Sequence, residues 1–272
     1  MAVLNCNFYS NRLGMNAEVC VHMPERRQCD HEPLNGRKYP VLYLLHGHSQ
    51  DHTSWITNSQ IEFLLAETDL IVVMPNTHRA WYTDGRNTFR YFSYLTEELP
   101  SIMEDWFPIS GKREDRYIAG LSMGGYGAFK AGLRRPDLYA GAASMSGALD
   151  HFFEKRDTLQ GSTVGLPVRD DVEMNMNAIF GDWRESEGSF DDLFAAAKEL
   201  SASDAEKPDF YICIGQDDFL RNTNDRFVDF VKKEAPNLKV TYRVGEGIHN
   251  WDFWNREIRG VLEHFGLMNY KI

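Results

Sequence analysis

The stretch Gly120-Leu121-Ser122-Met123-Gly124 sets a serine between two glycines at the spacing of a tight turn. A serine hydroxyl attacks a carbonyl only when a base stands within hydrogen-bond reach and an acidic group orients that base. The small glycines let neighbouring backbones pass closely at a sharp strand-to-helix turn, which lifts the Ser122 Oγ into the open. The N–H of Met123 would then face a developing oxyanion, with the helix dipole behind it. The five-residue pattern is weak alone, because glycine and serine are common in turns. Its flanks strengthen it: Arg116-Tyr117-Ile118-Ala119-Gly120 is an apolar run, and an amphipathic stretch follows. A second cluster, His46-Gly47-His48, closes another apolar run. It can offer the His48 N–H to the same oxyanion, or, with His52, imidazoles to a metal.

The surrounding elements must position these groups. Short apolar runs alternate with amphipathic stretches along the chain, which reads as strand–helix alternation and a mostly parallel sheet flanked by helices. Runs at 3–9 and 18–23, joined through Asn11-Arg12-Leu13-Gly14, read as an N-terminal antiparallel hairpin. Buried strands are expected at 41–45, 70–74, 116–120, 140–145, 209–214 and 239–244. Helices are expected at 96–106, 124–134, 224–233 and 251–265, from apolar residues at three- and four-residue spacing. Pro108 and Pro136 stand just beyond two of them. The segment from about 151 to 205 is polar and Met-rich, with a helix expected at 190–200. It reads as a small helical, lid-like insertion over the strand ends, so residues 1–272 form one domain. Met174 and Met176 suit an adaptable apolar cover.

A nucleophile on such a turn within such an alternation implies the α/β-hydrolase fold, whose triad members run in the order serine, acid, histidine. That order narrows nine histidines to His151, His249 and His264. His264 falls within the last helix, and His151 precedes any suitable acid. His249 lies in Gly245-Glu246-Gly247-Ile248-His249-Asn250-Trp251, between the last strand and the last helix, where the base belongs. The acid should follow the penultimate strand, where Gly215-Gln216-Asp217-Asp218 offers two aspartates that placement alone does not separate. No further ligand set accompanies the early histidines, so the His48 and Met123 amides are read as the oxyanion hole, and neither metal nor cofactor is expected. Trp55, Trp81, Tyr82 and Trp251 are candidate pocket residues, since aromatics with a polar edge suit sugar or aryl groups. Core packing accounts for each of them equally well, and Asp84 reads either as a substrate contact or as a turn cap.

Together these strings resemble one family. Leu44-Leu45-His46-Gly47 with Trp55, then Arg79-Ala80-Trp81-Tyr82-Thr83-Asp84, Gly120 to Gly127, Gly215-x-x-Asp218-Phe219-Leu220 and His249-Asn250-Trp251-x-x-Trp254 are similar to the tributyrin esterases, a branch of the esterase D and S-formylglutathione hydrolase group. The similarity spans nearly the whole chain. It implies carboxylesterase activity on short acyl esters, with acetylated or feruloylated carbohydrates among the substrates, and it selects Asp218 as the triad acid beside Ser122 and His249. One departure from the family pattern falls at Gly85-Arg86-Asn87. A thioesterase acting on S-formylglutathione, an acyltransferase and an inactive binding protein on the same fold are the competing readings.

Composition narrows the partners. With 29 basic and 40 acidic residues the chain carries a formal charge of −11. That disfavours nucleic acid and anionic membrane surfaces and leaves a small-molecule or carbohydrate ester as the expected partner. The oligomeric state is open, a homo-oligomer included. No run approaches the ~20 apolar residues of a membrane helix, and no signal-peptide pattern opens the chain. Cys6, Cys20, Cys29 and Cys213 form no CxxC pair, which suits a reducing cytoplasm.

Overall fold

A computed structural model describes residues 2–24, 36–66, 68–150, 170–182 and 186–268, with the backbone alone at 170–174. Cys29 and His151 lie outside these residues, as does most of the first half of the expected insertion. Among the described residues eight strands form one sheet: β1 Ala2–Ser10, β2 Met15–Met23, β3 Val41–Leu45, β4 Ile71–Pro75, β5 Arg116–Leu121, β6 Gly141–Met145, β7 Asp209–Gly215 and β8 Val240–Gly245. Their spatial order is β1-β2-β4-β3-β5-β6-β7-β8. The first three neighbours pair antiparallel, β1 with β2 and β2 with β4. Every later pair is parallel. This is the α/β-hydrolase fold with its N-terminal hairpin.

The parallel strands are apolar on both faces, as a sheet covered on two sides requires. Val41, Tyr43 and Leu45 face one core, while Leu42 and Leu44 face the other. The first core is covered by α3 Leu99–Trp106, α4 Met123–Arg134, α6 Leu193–Ala202 and α7 Arg221–Glu234. The second is covered by α1 Ser54–Asn58, α2 Ile61–Leu65 and α8 Trp251–His264. The remaining helix, α5 Asp170–Phe180, belongs to the insertion. No helix of the described residues is long and apolar enough to cross a membrane.

Most elements fall within a residue or two of their expected bounds. The expected helix at 96–106 starts earlier, because a turn at Tyr91–Ser93 and a π-helical stretch at Tyr94–Glu98 precede α3. Asp84 sets that start: its carboxylate accepts hydrogen bonds from the Ser93 N–H (2.9 Å) and the Ser93 hydroxyl. Asp84 thus takes up one of the free N–H groups at the start of this segment, whose N-cap position is Arg90. Glu98 in the π-helical stretch reaches back to the hairpin, accepting from the N–H groups of Asn11 (2.7 Å) and Arg12 (3.2 Å).

Two histidines are buried as neutral rings. His22 in β2 has no hydrogen-bond partner on either ring nitrogen, and His46 follows β3. Burial pushes both imidazoles down to a pKa of about 4. The unfolded chain binds these protons near pH ~6.5, whereas the folded protein resists them until about pH 4. Stability is therefore complete above the higher value and falls as the pH drops between the two, by up to about 2.7 kcal/mol per pH unit for two protons. Urea unfolding at pH 7 and pH 5 should show this loss, and His22→Leu should remove about half of it. An unaltered pH dependence in that variant would contradict the assignment.

Candidate active site

The C-terminal ends of β3, β5, β7 and β8 open at one edge of the sheet, where open α/β sheets place their chemistry. Ser122 follows β5 directly and starts α4 with φ 54° and ψ −117°. A non-glycine residue at positive φ is strained, and such strain collects at functional turns. Two glycines make the turn possible. A Cβ on Gly120 would stand 2.3 Å from the Gly124 oxygen, and one on Gly124 would stand 2.6 Å from the Leu45 oxygen. The same closeness lays the start of α4 against the end of β3, which brings Met123 and the His46–His48 loop to one place.

That loop is held from several sides. The Thr77 N–H donates to His46 Nε2 (3.1 Å), so the proton sits on Nδ1, which donates to the Gly47 oxygen (2.8 Å). The Tyr82 hydroxyl donates to the His46 oxygen (2.9 Å), and Trp55 Nε1 donates to the Leu45 oxygen (3.1 Å). Arg79 Nε donates to His48 Nε2 (3.3 Å). With both nitrogens engaged, His46 serves the backbone. Among the described residues no set of three His, Cys, Asp or Glu side chains converges to hold a metal.

His249 lies in the loop between β8 and α8. Its Nε2 is 3.0 Å from Ser122 Oγ, and its Nδ1 is 3.0 and 3.1 Å from the two oxygens of Asp218. Asp218 is buried, and its Oδ1 also accepts from the Leu220 N–H (2.8 Å). Asp217 is exposed, with its carboxylate accepting from Gln216 Nε2 (3.1 Å). The structure therefore separates the two aspartates that sequence placement left together. The loops carrying Asp218 and His249 are stitched by backbone hydrogen bonds, Gln216 N–H to the Gly245 oxygen (2.8 Å) and Asp217 N–H to the Gly247 oxygen (3.1 Å). Asn250 caps α8 through the Phe253 N–H (3.1 Å), which fixes the chain just after His249. His264, in the last turn of α8, instead lies against the Tyr211 ring (4.7 Å between ring centres, tilted by 39°).

The four expected pocket aromatics divide. Trp55 is 1% exposed and Tyr82 is 0% exposed. Both are core side chains whose polar atoms hold the β3 loop, so they cannot line an open pocket. Trp81 and Trp251 remain partly exposed. Trp81 meets the rings of His48 (5.9 Å), Tyr126 (5.6 Å) and Phe180 (6.0 Å), joining the β3 loop, α4 and the insertion. Trp251 packs edge-on against Trp55 (5.1 Å) and Trp254 (5.4 Å), and Trp254 stands edge-on to His249 (5.0 Å). The sequence reading missed Phe219, whose ring lies 4.5 Å from that of His249. Its place next to Asp218 in the chain was the available signal.

The Gly85-Arg86-Asn87 departure has a local role. The N–H groups of Arg86 and Asn87 donate to the last-turn oxygens of α5, Ile179 (3.0 Å) and Ala178 (3.1 Å). This loop thus caps the insertion helix, which Gly181 ends at φ 72°. Buried Lys130 on α4 ties in the segment beyond: its ammonium donates to Thr83 Oγ1 (2.8 Å) and pairs with Asp191. Burial pushes that ammonium's pKa down, and Asp191 opposes the shift. Met176 lies in α5 and is partly buried, whereas the Met174 side chain is outside the described residues.

A strained serine at a helix N-terminus, within reach of a histidine that a buried carboxylate orients, can carry acyl transfer through a covalent intermediate. Fold and site together define a serine hydrolase acting on carboxylic esters. The profile of the Esterase family matches residues 10–265, and the chain belongs to that family, in its esterase D and S-formylglutathione hydrolase-like branch. It is 30% identical over 271 residues to an acetyl esterase of Caldicellulosiruptor saccharolyticus, covering 97% of each protein. Among solved structures it is similar to FphF, a fluorophosphonate-binding serine hydrolase of Staphylococcus aureus, at 28% identity and a TM-score of 0.83, covering 97% of this chain and 98% of that one. An S-formylglutathione hydrolase (FrmB) from the same organism gives 28% identity and a TM-score of 0.82 over the same shares.

Proposed function

We propose that the protein hydrolyses short-chain acyl esters, acetyl esters of small molecules or carbohydrates above all, with Ser122 as nucleophile, His249 as base and Asp218 as its orienter. The observation that carries this reading is the unbroken relay from Ser122 Oγ through His249 to Asp218, each step near 3.0 Å. His249 Nε2 takes the Ser122 proton as Oγ attacks the ester carbonyl. The N–H groups of His48 and Met123 hold the oxyanion. As the bond from the carbonyl carbon to the alcohol oxygen breaks, His249 returns the proton to that oxygen; the alcohol leaves and the acyl group stays on Ser122 Oγ as an acyl-enzyme. Water, deprotonated by the same imidazole, attacks that ester; the acid leaves and Ser122 regains its proton. Trp81 and Trp251 line the entry.

The short-acyl preference is supported by the acetyl esterase relative, similar along nearly its full length. Turnover of p-nitrophenyl esters from acetate to octanoate tests it. The specificity constant should peak at acetate or butyrate and fall at octanoate; a rise with chain length would overturn the preference. A thioester reading stands second, favoured by the 28% identity to an S-formylglutathione hydrolase. Turnover of S-formylglutathione far above that of p-nitrophenyl acetate would place it first.

A further inference from the structure

In the acylation step the proton passes from His249 Nε2 to the leaving oxygen, so the alcohol half of the ester must lie beside the imidazole. What borders His249 therefore borders that half of the substrate. One side is closed: Trp254 is buried and stands at 90° to the ring. Next to the imidazole on the β7 loop is Phe219, 47% exposed although its neighbours Asp218 and Leu220 are buried. The chain is pinned on both sides of it, by Asp217 N–H to the Gly247 oxygen and by Leu220 N–H to Asp218, and these anchors turn the phenyl ring outward. Ile248, immediately before His249, is 52% exposed, and the hydrogen bond from Asp217 to Gly247 brings its loop to that of Phe219.

Single exposed apolar side chains are ordinary. Two large ones flanking the catalytic base, on loops tied to each other, are placed where a leaving group must pass. Phe219 meets the imidazole at a tilt of 48°, which leaves part of the ring open to a flat partner. We propose that Phe219 and Ile248 form the leaving-group subsite, which takes an alcohol presenting a flat apolar face: an aryl ring, or the C–H face of a pyranose. Such a surface binds by stacking and apolar burial and needs no charge on the ligand. The inference rests on the serine-esterase reading and extends it to the alcohol half.

A matched set of acetates tests it: ethyl acetate, benzyl acetate and methyl 6-O-acetyl-glucopyranoside, assayed on the wild-type chain, Phe219→Ala and Ile248→Ser. All three pass through one acetyl-enzyme, so differences in kcat/KM report the alcohol alone. The wild-type protein should prefer at least one ring-bearing ester over ethyl acetate, and Phe219→Ala should erode that preference by about threefold to tenfold. Ile248→Ser should move it in the same direction. Loss on benzyl acetate assigns an aryl alcohol, and loss on the acetylated glucoside assigns a sugar. The rate of acetyl-enzyme hydrolysis, read from the steady phase after a p-nitrophenyl acetate burst, has no alcohol present and should change less than the preference does. An equal fall on all three acetates and in that rate would show that Phe219 merely supports His249, and would overturn the subsite. Absence of both acetate turnover and fluorophosphonate labelling in the wild-type chain would overturn the esterase reading itself.

Discussion

Ser122→Ala should lower kcat for p-nitrophenyl acetate by about 10⁴-fold or more, and His249→Ala should cost about as much. The reason is the single relay that joins them. Without Oγ no acyl-enzyme forms, and without the imidazole the Oγ proton has no acceptor at 3.0 Å. Groups that act as one unit lose their effect together, so the double variant should be no slower than the worse single one. The substitution is also a clean one. The Ser122 side chain makes no capping hydrogen bond to α4, and alanine keeps the strained backbone much as serine does. Thermal unfolding should therefore shift by no more than about 1 kcal/mol in stability. Retained turnover in Ser122→Ala, or additive losses in the double variant, would remove Ser122 and His249 from one catalytic unit. Residual activity above the uncatalysed rate is expected, because the substitution leaves untouched the His48 and Met123 amides that the proposed mechanism assigns to the oxyanion.

The parts of the fold legible in the sequence are those set by local pattern. A strand buried on both faces reads as an unbroken apolar run, and Val41–Leu45 falls where that run does. The turn around Ser122 is legible because two glycines are needed there for backbone contacts that no other residue allows. Elements fixed by distant partners were not legible. The helical segment begins at Tyr91 because Asp84, seven residues earlier in the chain, accepts from Ser93, and the spacing of apolar residues carries no trace of that contact. Aromatic side chains misled for a related reason. Trp55 and Tyr82 are aromatics with a polar edge, as Trp81 and Trp251 are, yet the first pair spends its polar atoms on the carbonyl oxygens of Leu45 and His46. Residue type fixes what a ring can do; only packing fixes which side of it meets solvent. Phe219 is the converse, an apolar residue beside a buried carboxylate that its anchored neighbours turn outward.

Adjacent aspartates give the sharpest contrast. Asp218→Asn should reduce kcat by about 10⁴-fold, whereas Asp217→Asn should leave it within about a factor of three. The carboxamide is nearly isosteric, so the loss comes from the direction of one hydrogen bond. Oδ1 of residue 218 accepts from the Leu220 N–H at 2.8 Å, and an asparagine keeps that bond only by placing its oxygen there. Its NH₂ then stands at the closer position, 3.0 Å from His249 Nδ1, where two donors would face each other, and this favours the ring form in which Nδ1 accepts. The imidazole proton is displaced to Nε2, the nitrogen 3.0 Å from Ser122, and a protonated Nε2 cannot take the hydroxyl proton. Asp217 has no such lever: it is exposed, and its carboxylate is engaged by Gln216. Steady-state assays on the two variants, with fluorophosphonate labelling rates beside them, decide the matter. Slow labelling should accompany Asp218→Asn alone, and a larger loss in Asp217→Asn would transfer the orienting role to the exposed aspartate.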